Sequence, residues 1–165
     1  MAPGYGLPEH WNGAHAPAWR DIVAQVARAR NYWLGTTRPD GRPHAMPVWG
    51  VWVDDTLLFS TDPHSRKGRN LAANPAVVVH LESGDEVVIV EGLVEPVTDE
   101  GVLARYVDAY DAKYQFRPNP DDGTSLVYAL RLHVAFTWGE ADFVESATKW
   151  TWRFTPSQTE SRAAS

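Results

Sequence analysis

Hydrophobic and polar positions along this chain alternate between two periods. Over residues 19–30, Trp19, Ile22, Val23 and Val26 recur at i, i+3, i+4 and i+7, which predicts one amphipathic helix. Arg28 and Arg30 fall in its last turn, where the helix dipole favours cations. Residues 31–37 read as a strand, Arg38-Pro39-Asp40-Gly41 as a turn, and 43–53 as the returning strand. Asp54-Asp55 marks the next turn and 57–59 a third strand, so the three are expected to be antiparallel neighbours. A short helix over 65–73 must stop at Asn74-Pro75, because proline cannot extend it. Residues 76–81 and 86–97 are strands joined by Ser83-Gly84-Asp85, the second with Val88, Val90, Gly92 and Val94 on one side. Thr98 is expected to cap a longer helix whose first turn holds Asp99 and Glu100. Its apolar face is Leu103, Tyr106, Val107, Tyr110 and Tyr114. Residues 117–124 are a loop by composition. In 126–138, Leu126, Tyr128, Leu130 and Leu132 share one face and Val127, Ala129 and Arg131 the other, and 148–154 alternates bulky and polar residues. The stretch 1–17 reads as an arm and 157–165 as a frayed tail.

Consecutive short strands with helices set among them predict an α+β barrel of about six to seven antiparallel strands, rather than alternating βαβ units. A length of 165 residues is one domain with a real core. The absence of cysteine excludes disulfides, thiolate nucleophiles and cysteine metal sites. A formal charge of −6 argues against nucleic acid as a partner. No apolar run approaches the roughly 18 residues of a membrane span, and the N-terminus lacks a signal-peptide core, so a cytoplasmic protein without a membrane partner is expected.

The usual chemical motifs are missing. Gly4-x-Gly6 lies in the arm with no strand before it, and the P-loop, His-Glu-x-x-His and Gly-x-Ser-x-Gly patterns do not occur. Asp54, Asp55, Asp85, Glu86, Asp121 and Asp122 sit in turns, and read as solvated loop charge. His10 and His15 fall in the arm, and His44, His64, His80 and His133 show no metal-ligand spacing. No catalytic residue and no metal site assembles, which fits an enzyme whose cofactor carries the reaction.

Two stretches carry candidate chemistry. The strand ending at Phe59 runs into the hydroxyls Ser60 and Thr61, turns at Asp62-Pro63, and enters a helix opened by Ser65. Arg66 and Lys67 then lie at a helix start, where cations are disfavoured but unpaired N–H groups attract anions. That conflict points to a phosphate site, the alternative being a solvated basic turn. The second stretch is Met46-Pro47-Val48-Trp49. Pro47 has no N–H and interrupts the ladder at an edge or bulge, leaving backbone groups for a ligand ring. The alternative is an edge-protecting proline beside core tryptophans. Most of the eight tryptophans are expected to be core, although flat cofactors also use such surfaces.

Phe59-Ser60-Thr61, then Ser65-Arg66-Lys67-Gly68-Arg69-Asn70-Leu71-Ala72-Ala73-Asn74-Pro75, then a β-rich run, resembles the pyridoxamine-phosphate-oxidase-like superfamily. The resemblance extends over about residues 32–154. It implies a split β-barrel with flanking helices, paired as a two-fold homodimer, with FMN or the deazaflavin coenzyme F420 as cofactor. It places Arg66 and Lys67 on the cofactor phosphate, with Ser60, Thr61, Ser65 and Asn70 in the same pocket. The backbone of Met46, Pro47, Val48 and Trp49 would meet the cofactor ring. Residues 33–50 are similar to the F420-dependent reductase branch found in actinobacteria, and arginine outnumbers lysine 12 to 3, as in GC-rich genomes. That branch implies hydride transfer from reduced F420 to a small, flat, electron-poor substrate, with Arg38, Arg42 and Arg69 as candidates for the cofactor's polyglutamate tail. Phe136-Thr137-Trp138 resembles part of the vitamin oxidase's last strand, but that enzyme's Arg-Leu-His-Asp-Arg run is absent from 146–154. Oxidation of pyridoxamine phosphate is therefore not expected. The resemblance also implies that Trp138, Lys149 and Trp150 wall the neighbouring protomer's pocket, so that Trp150→Ala would spare stability. The alternative is that they pack their own barrel end. An FMN-binding oxidoreductase of the same fold and a non-catalytic flavin or deazaflavin binding module are the other two readings.

Overall fold

The structure, a computed structural model, describes residues 12–152. Its elements are α1 (Trp19–Arg28), β1 (Tyr32–Thr37), β2 (Pro43–Val48), β3 (Gly50–Val53), β4 (Thr56–Thr61), α2 (Arg66–Ala73), β5 (Ala76–His80), β6 (Glu86–Pro96), α3 (Glu100–Tyr114), β7 (Leu126–Gly139), a 3₁₀ turn (Glu140–Asp142), α4 (Phe143–Ser146) and β8 (Thr148–Thr151). One antiparallel sheet runs β2-β1-β5-β6-β7-β4-β3, with β8 added on β7. β2 and β3 stand at opposite ends of that order, yet a single residue, Trp49, separates them in the chain. The sheet must therefore curl until its two ends meet at Trp49, which makes it a split barrel.

That closure corrects the expected single strand over 43–53. The run breaks at Trp49 and not at Pro47, which keeps its place in the ladder opposite Trp33. Among the described residues β2 has a neighbour on one side only, and an edge strand is where a residue lacking an N–H is accommodated. β1 pairs the first half of the run and β4 the second, so β1 and β4 are not neighbours. The cap of α3 also moves: Asp99, not Thr98, accepts from the Val102 N–H at 2.9 Å, three residues on. The turn and helix over 140–146 carry no readable period and were not expected. Among residues assigned to the arm, 12–15 are held rather than loose. Asn12 bridges Thr148, Gly13 N–H donates to Ala147 O at 3.0 Å, and His15 N–H donates to Glu145 O at 2.9 Å. His10, Phe154 and the tail lie outside the described residues.

Inward-facing side chains fill the barrel, with Tyr32, Leu34, Leu57, Phe59, Val79, Val88 and Leu130 buried together and α1 covering one end through Ile22 and Val26. The interior retains a cavity of about 10 Å³, scarcely the space of one water. A ligand must bind outside the barrel. A second cluster lies on the outer side, where Tyr106, Val107, Tyr110 and Tyr114 of α3 cover Val51, Leu58 and Val127. No helix among the described residues is long and apolar enough to cross a membrane.

Candidate functional site

The place where the barrel closes is also where its surface opens into a cleft. A cleft of about 390 Å³ is lined by Pro47, Val48 and Trp49 at the strand break, Ser60, Thr61 and Asp62 at the end of β4, Ser65 and Lys67 at the start of α2, and Asn31 and Tyr110. Its volume is that of small-molecule sites.

Local chemistry shapes the basic end. Asp62 Oδ1 accepts from His64 N–H at 2.7 Å, and Asp62 O accepts from Ser65 N–H at 3.0 Å. Ser65 is the N-cap, its Oγ accepting from Gly68 N–H at 3.0 Å. A Cβ on Gly68 would stand 2.3 Å from Asp62 O, so only glycine lets α2 lie this close to the turn. Two N–H groups at the head of α2, those of Arg66 and Lys67, have no partner within the helix. The first turn of α2 holds no acidic residue. Among the described residues, neither Arg66 nor Lys67 forms an ion pair. The field is felt at His44, whose pKa is lowered by partial desolvation and then by Arg38, Arg66 and Lys67. Arg42 is less available, being paired with Asp40 at 2.8 Å, and Arg69 is turned onto His64 O.

The other end is aromatic. Trp49 stacks on Tyr114 with centroids 4.6 Å apart and planes 1° from parallel, and Tyr110 lies 4.7 Å from Tyr114. The strand break is clamped from behind. Tyr114 Oη accepts from Gly50 N–H at 3.0 Å and donates to Arg30 O at 2.7 Å. Lys113 Nζ donates to Gly50 O at 2.9 Å and to Tyr32 Oη at 2.8 Å. Among the described residues Lys113 has no carboxylate partner, and burial pushes its pKa down to about 8. Because the unfolded lysine holds its proton up to its ordinary pKa of 10.5, the unfolded chain binds more protons above pH 8 and stability is expected to rise there. The rise ends near pH 10, where unfolded tyrosines ionise while buried Tyr32, its pKa raised, cannot follow. Urea unfolding across that window checks this: Lys113→Met should abolish the increase, and an equal increase in the variant would assign it to another group.

The structure thus brings Pro47, Val48, Trp49, Ser60, Thr61, Ser65 and Lys67 around one cleft. Met46, 44% exposed, and Arg66, also exposed, stand outside its lining. Asn70 is fully buried and donates to Thr36 Oγ1 at 2.9 Å, tying α2 to β1 rather than meeting the cleft. Trp138, Lys149 and Trp150 lie toward the other end of β7. Trp138 packs edge-on against Phe143 at 5.7 Å, Lys149 Nζ sits 5.9 Å from the Phe136 ring centroid, and Trp150 packs on the barrel core. Sequence reasoning missed Asn31, Asp62 and Tyr110 as lining residues, and Tyr106, Lys113 and Tyr114 behind them. The readable signal was three tyrosines on one helix face, since a buried phenol requires a polar partner.

Comparison with known proteins gives this arrangement a family. The pyridoxamine 5'-phosphate oxidase family model matches residues 18–149. The pyridoxine/pyridoxamine 5'-phosphate oxidase of Cupriavidus necator is 36% identical over 105 residues, 61% of this chain and 46% of that protein. The chain spans about half the length of the curated relatives it matches. Among solved structures, the conserved hypothetical protein Rv2991 of Mycobacterium tuberculosis shares the fold, with TM-score 0.66 and 24% identity over 76% of this chain and 86% of that one. A structure named F420 Reductase superposes with TM-score 0.55 and 26% identity over 67% of this chain and 93% of that one. With the split barrel, the basic turn and the matched residues in agreement, the chain belongs to the pyridoxamine 5'-phosphate oxidase family.

Proposed function

We propose that this chain binds FMN in the cleft and acts as a flavin-dependent oxidoreductase on a small, flat substrate. One observation carries the reading: a single cleft joins a cationic helix start, Lys67, which has no ion pair among the described residues, to an aromatic wall, Trp49 and Tyr110. A phosphate-bearing planar cofactor needs both ends. Lys67 and the first N–H groups of α2 would hold the phosphate, with Arg66 adding charge from outside the lining, and Pro47, Val48 and Trp49 would border the ring. Bound there, the cofactor supplies hydride transfer, and the protein's part is to bind, orient and exclude water. The named relatives support an oxidase and the family resemblance implies FMN, but residues 146–154 lack the run expected for gripping pyridoxamine phosphate, so a different substrate is proposed. F420 is the second reading, supported by the likeness to the F420 Reductase structure.

We also propose that two copies pair through the outer sheet face. Pro47, Trp33, His80, Ile89, Phe136 and Lys149 form one outward row by register, crossing from β2 to β8. Val78 and Leu93 add half-exposed apolar surface. Pro47 of the cleft and Lys149 stand at opposite ends of that row, so a two-fold copy packed on it can bring its own Lys149 and Trp138 toward the cleft. Sedimentation velocity, followed at the cofactor's visible absorbance with FMN and then F420, tests both proposals. The expected result is FMN travelling with a species of twice the chain mass. A stable monomer at micromolar concentration overturns the pairing. Failure of FMN to co-sediment overturns the FMN reading, and F420 travelling in its place would support the second.

A further inference from the structure

The hydrogen bonds behind the cleft fix what each of its three aliphatic hydroxyls, those of Ser60, Thr61 and Ser65, can offer a ligand. A hydroxyl carries one proton to donate and two lone pairs to accept with. Ser60 and Thr61 are consecutive on β4, so their side chains leave on opposite faces. Thr61 Oγ1 meets Ser65 Oγ at 3.2 Å, and Ser60 Oγ meets the Tyr106 hydroxyl at 3.0 Å.

Ser65 Oγ lies 2.7 Å from Asp62 O, a carbonyl that can only accept, so the Ser65 proton is committed there. The Thr61 contact must then be Thr61 donating to Ser65. Both protons serve the helix cap. Tyr106 is 0% exposed, and among the described residues Ser60 is the hydrogen-bond partner of its hydroxyl. Were Ser60 the donor, the phenol proton would be buried without an acceptor, which folded proteins avoid. Tyr106 therefore donates, and burial keeps that proton in place by raising its pKa.

We infer that Ser60 is the one hydroxyl of the three able to donate to a ligand, that Tyr106 is the positioning residue that makes it so, and that Thr61 presents lone pairs only. This rests on the cleft being the site of a phosphate-bearing cofactor. A phosphate oxygen that takes a hydroxyl proton in the cleft then belongs on Ser60 and not on Thr61, whereas the group meeting Thr61 must be a donor, such as a sugar-alcohol hydroxyl or a ring N–H.

Dissociation constants for FMN and riboflavin, from quenching of flavin fluorescence, test the assignment because the two ligands differ only in the phosphate. Ser60→Ala is expected to weaken FMN about tenfold and leave riboflavin unchanged. Tyr106→Phe should act in the same direction by about three- to tenfold, and the double variant should be no weaker than Ser60→Ala alone. Thr61→Val should leave the FMN-to-riboflavin ratio as in the parent. A purely structural Tyr106 would lower the melting temperature without moving that ratio, and this result, or additive losses in the double variant, overturns the inference. If Tyr106→Phe does not fold, the Ser60–Thr61 contrast decides alone: equal ratio changes at the two positions overturn it. A parent that binds FMN no better than riboflavin overturns this inference only, whereas one that binds neither removes the cofactor reading with it.

Discussion

Lys67→Ala is expected to bind FMN about ten- to a hundredfold more weakly than the parent while melting at nearly the same temperature. Lys67 lines the cleft and has no ion pair among the described residues, so its ammonium is available to an anion. A charge-assisted hydrogen bond to phosphate contributes about 1.5–3 kcal/mol, which is that change in dissociation constant. Folding is spared for a separate reason. A cation at a helix N-terminus opposes the dipole, so its removal costs α2 nothing. Arg66→Ala should have the smaller effect, since Arg66 is exposed and outside the lining. Flavin titration beside a thermal melt reads both quantities. Unchanged affinity in Lys67→Ala would detach the basic end of the cleft from the cofactor.

Trp150→Ala is expected to lose about 3–5 kcal/mol of folding stability, a large part of what a single domain has. This reverses the expectation from the resemblance, that the substitution would spare stability. The Trp150 ring lies 5.2 Å from that of Trp19, which in turn packs on Trp152 at 4.7 Å, and together they flank the buried core beneath α1. Its indole N–H donates to Thr137 Oγ1 at 3.1 Å, so truncation also leaves a nearly buried hydroxyl without that donor. Within one protomer Trp150 is remote from the cleft. It pairs with Ala135, whereas Thr61 pairs with Leu126, nine residues earlier on β7 and about 30 Å away along the strand. Chemical denaturation, with FMN affinity measured per folded molecule, separates the possibilities. A variant that keeps its stability but loses FMN would return Trp150 to a partner's pocket. Lys149 and Trp138, less tied to the core, remain the candidates for that role.

Interactions within a few residues were legible before any tertiary contact was known. The 3.6-residue period located α1 and the tyrosine face of α3, and alternation located β7. Ser65 could be recognised as the cap of α2 because the bond that defines it, to Gly68 N–H, spans three residues. The clash between a helix start and Arg66-Lys67 marked the basic end of the cleft for the same reason, since dipole and charges belong to one turn. What required the tertiary structure was everything set by which distant segments meet. The run 43–53 reads as one strand with an interruption at Pro47, but sheet closure divides it at Trp49 between the two ends of the sheet and turns Trp49 into the cleft. Asn70 shares a helix with Lys67, yet packing of α2 on β1 buries one while the other lines the cleft. Tyr106, Lys113 and Tyr114 look like core by period. They acquire their roles because their hydroxyls and ammonium reach Ser60 and Gly50, some 46 to 64 residues away in the chain. Period and capping are carried by neighbours along the backbone, whereas pairing partners and burial are chosen by the closure of the whole sheet.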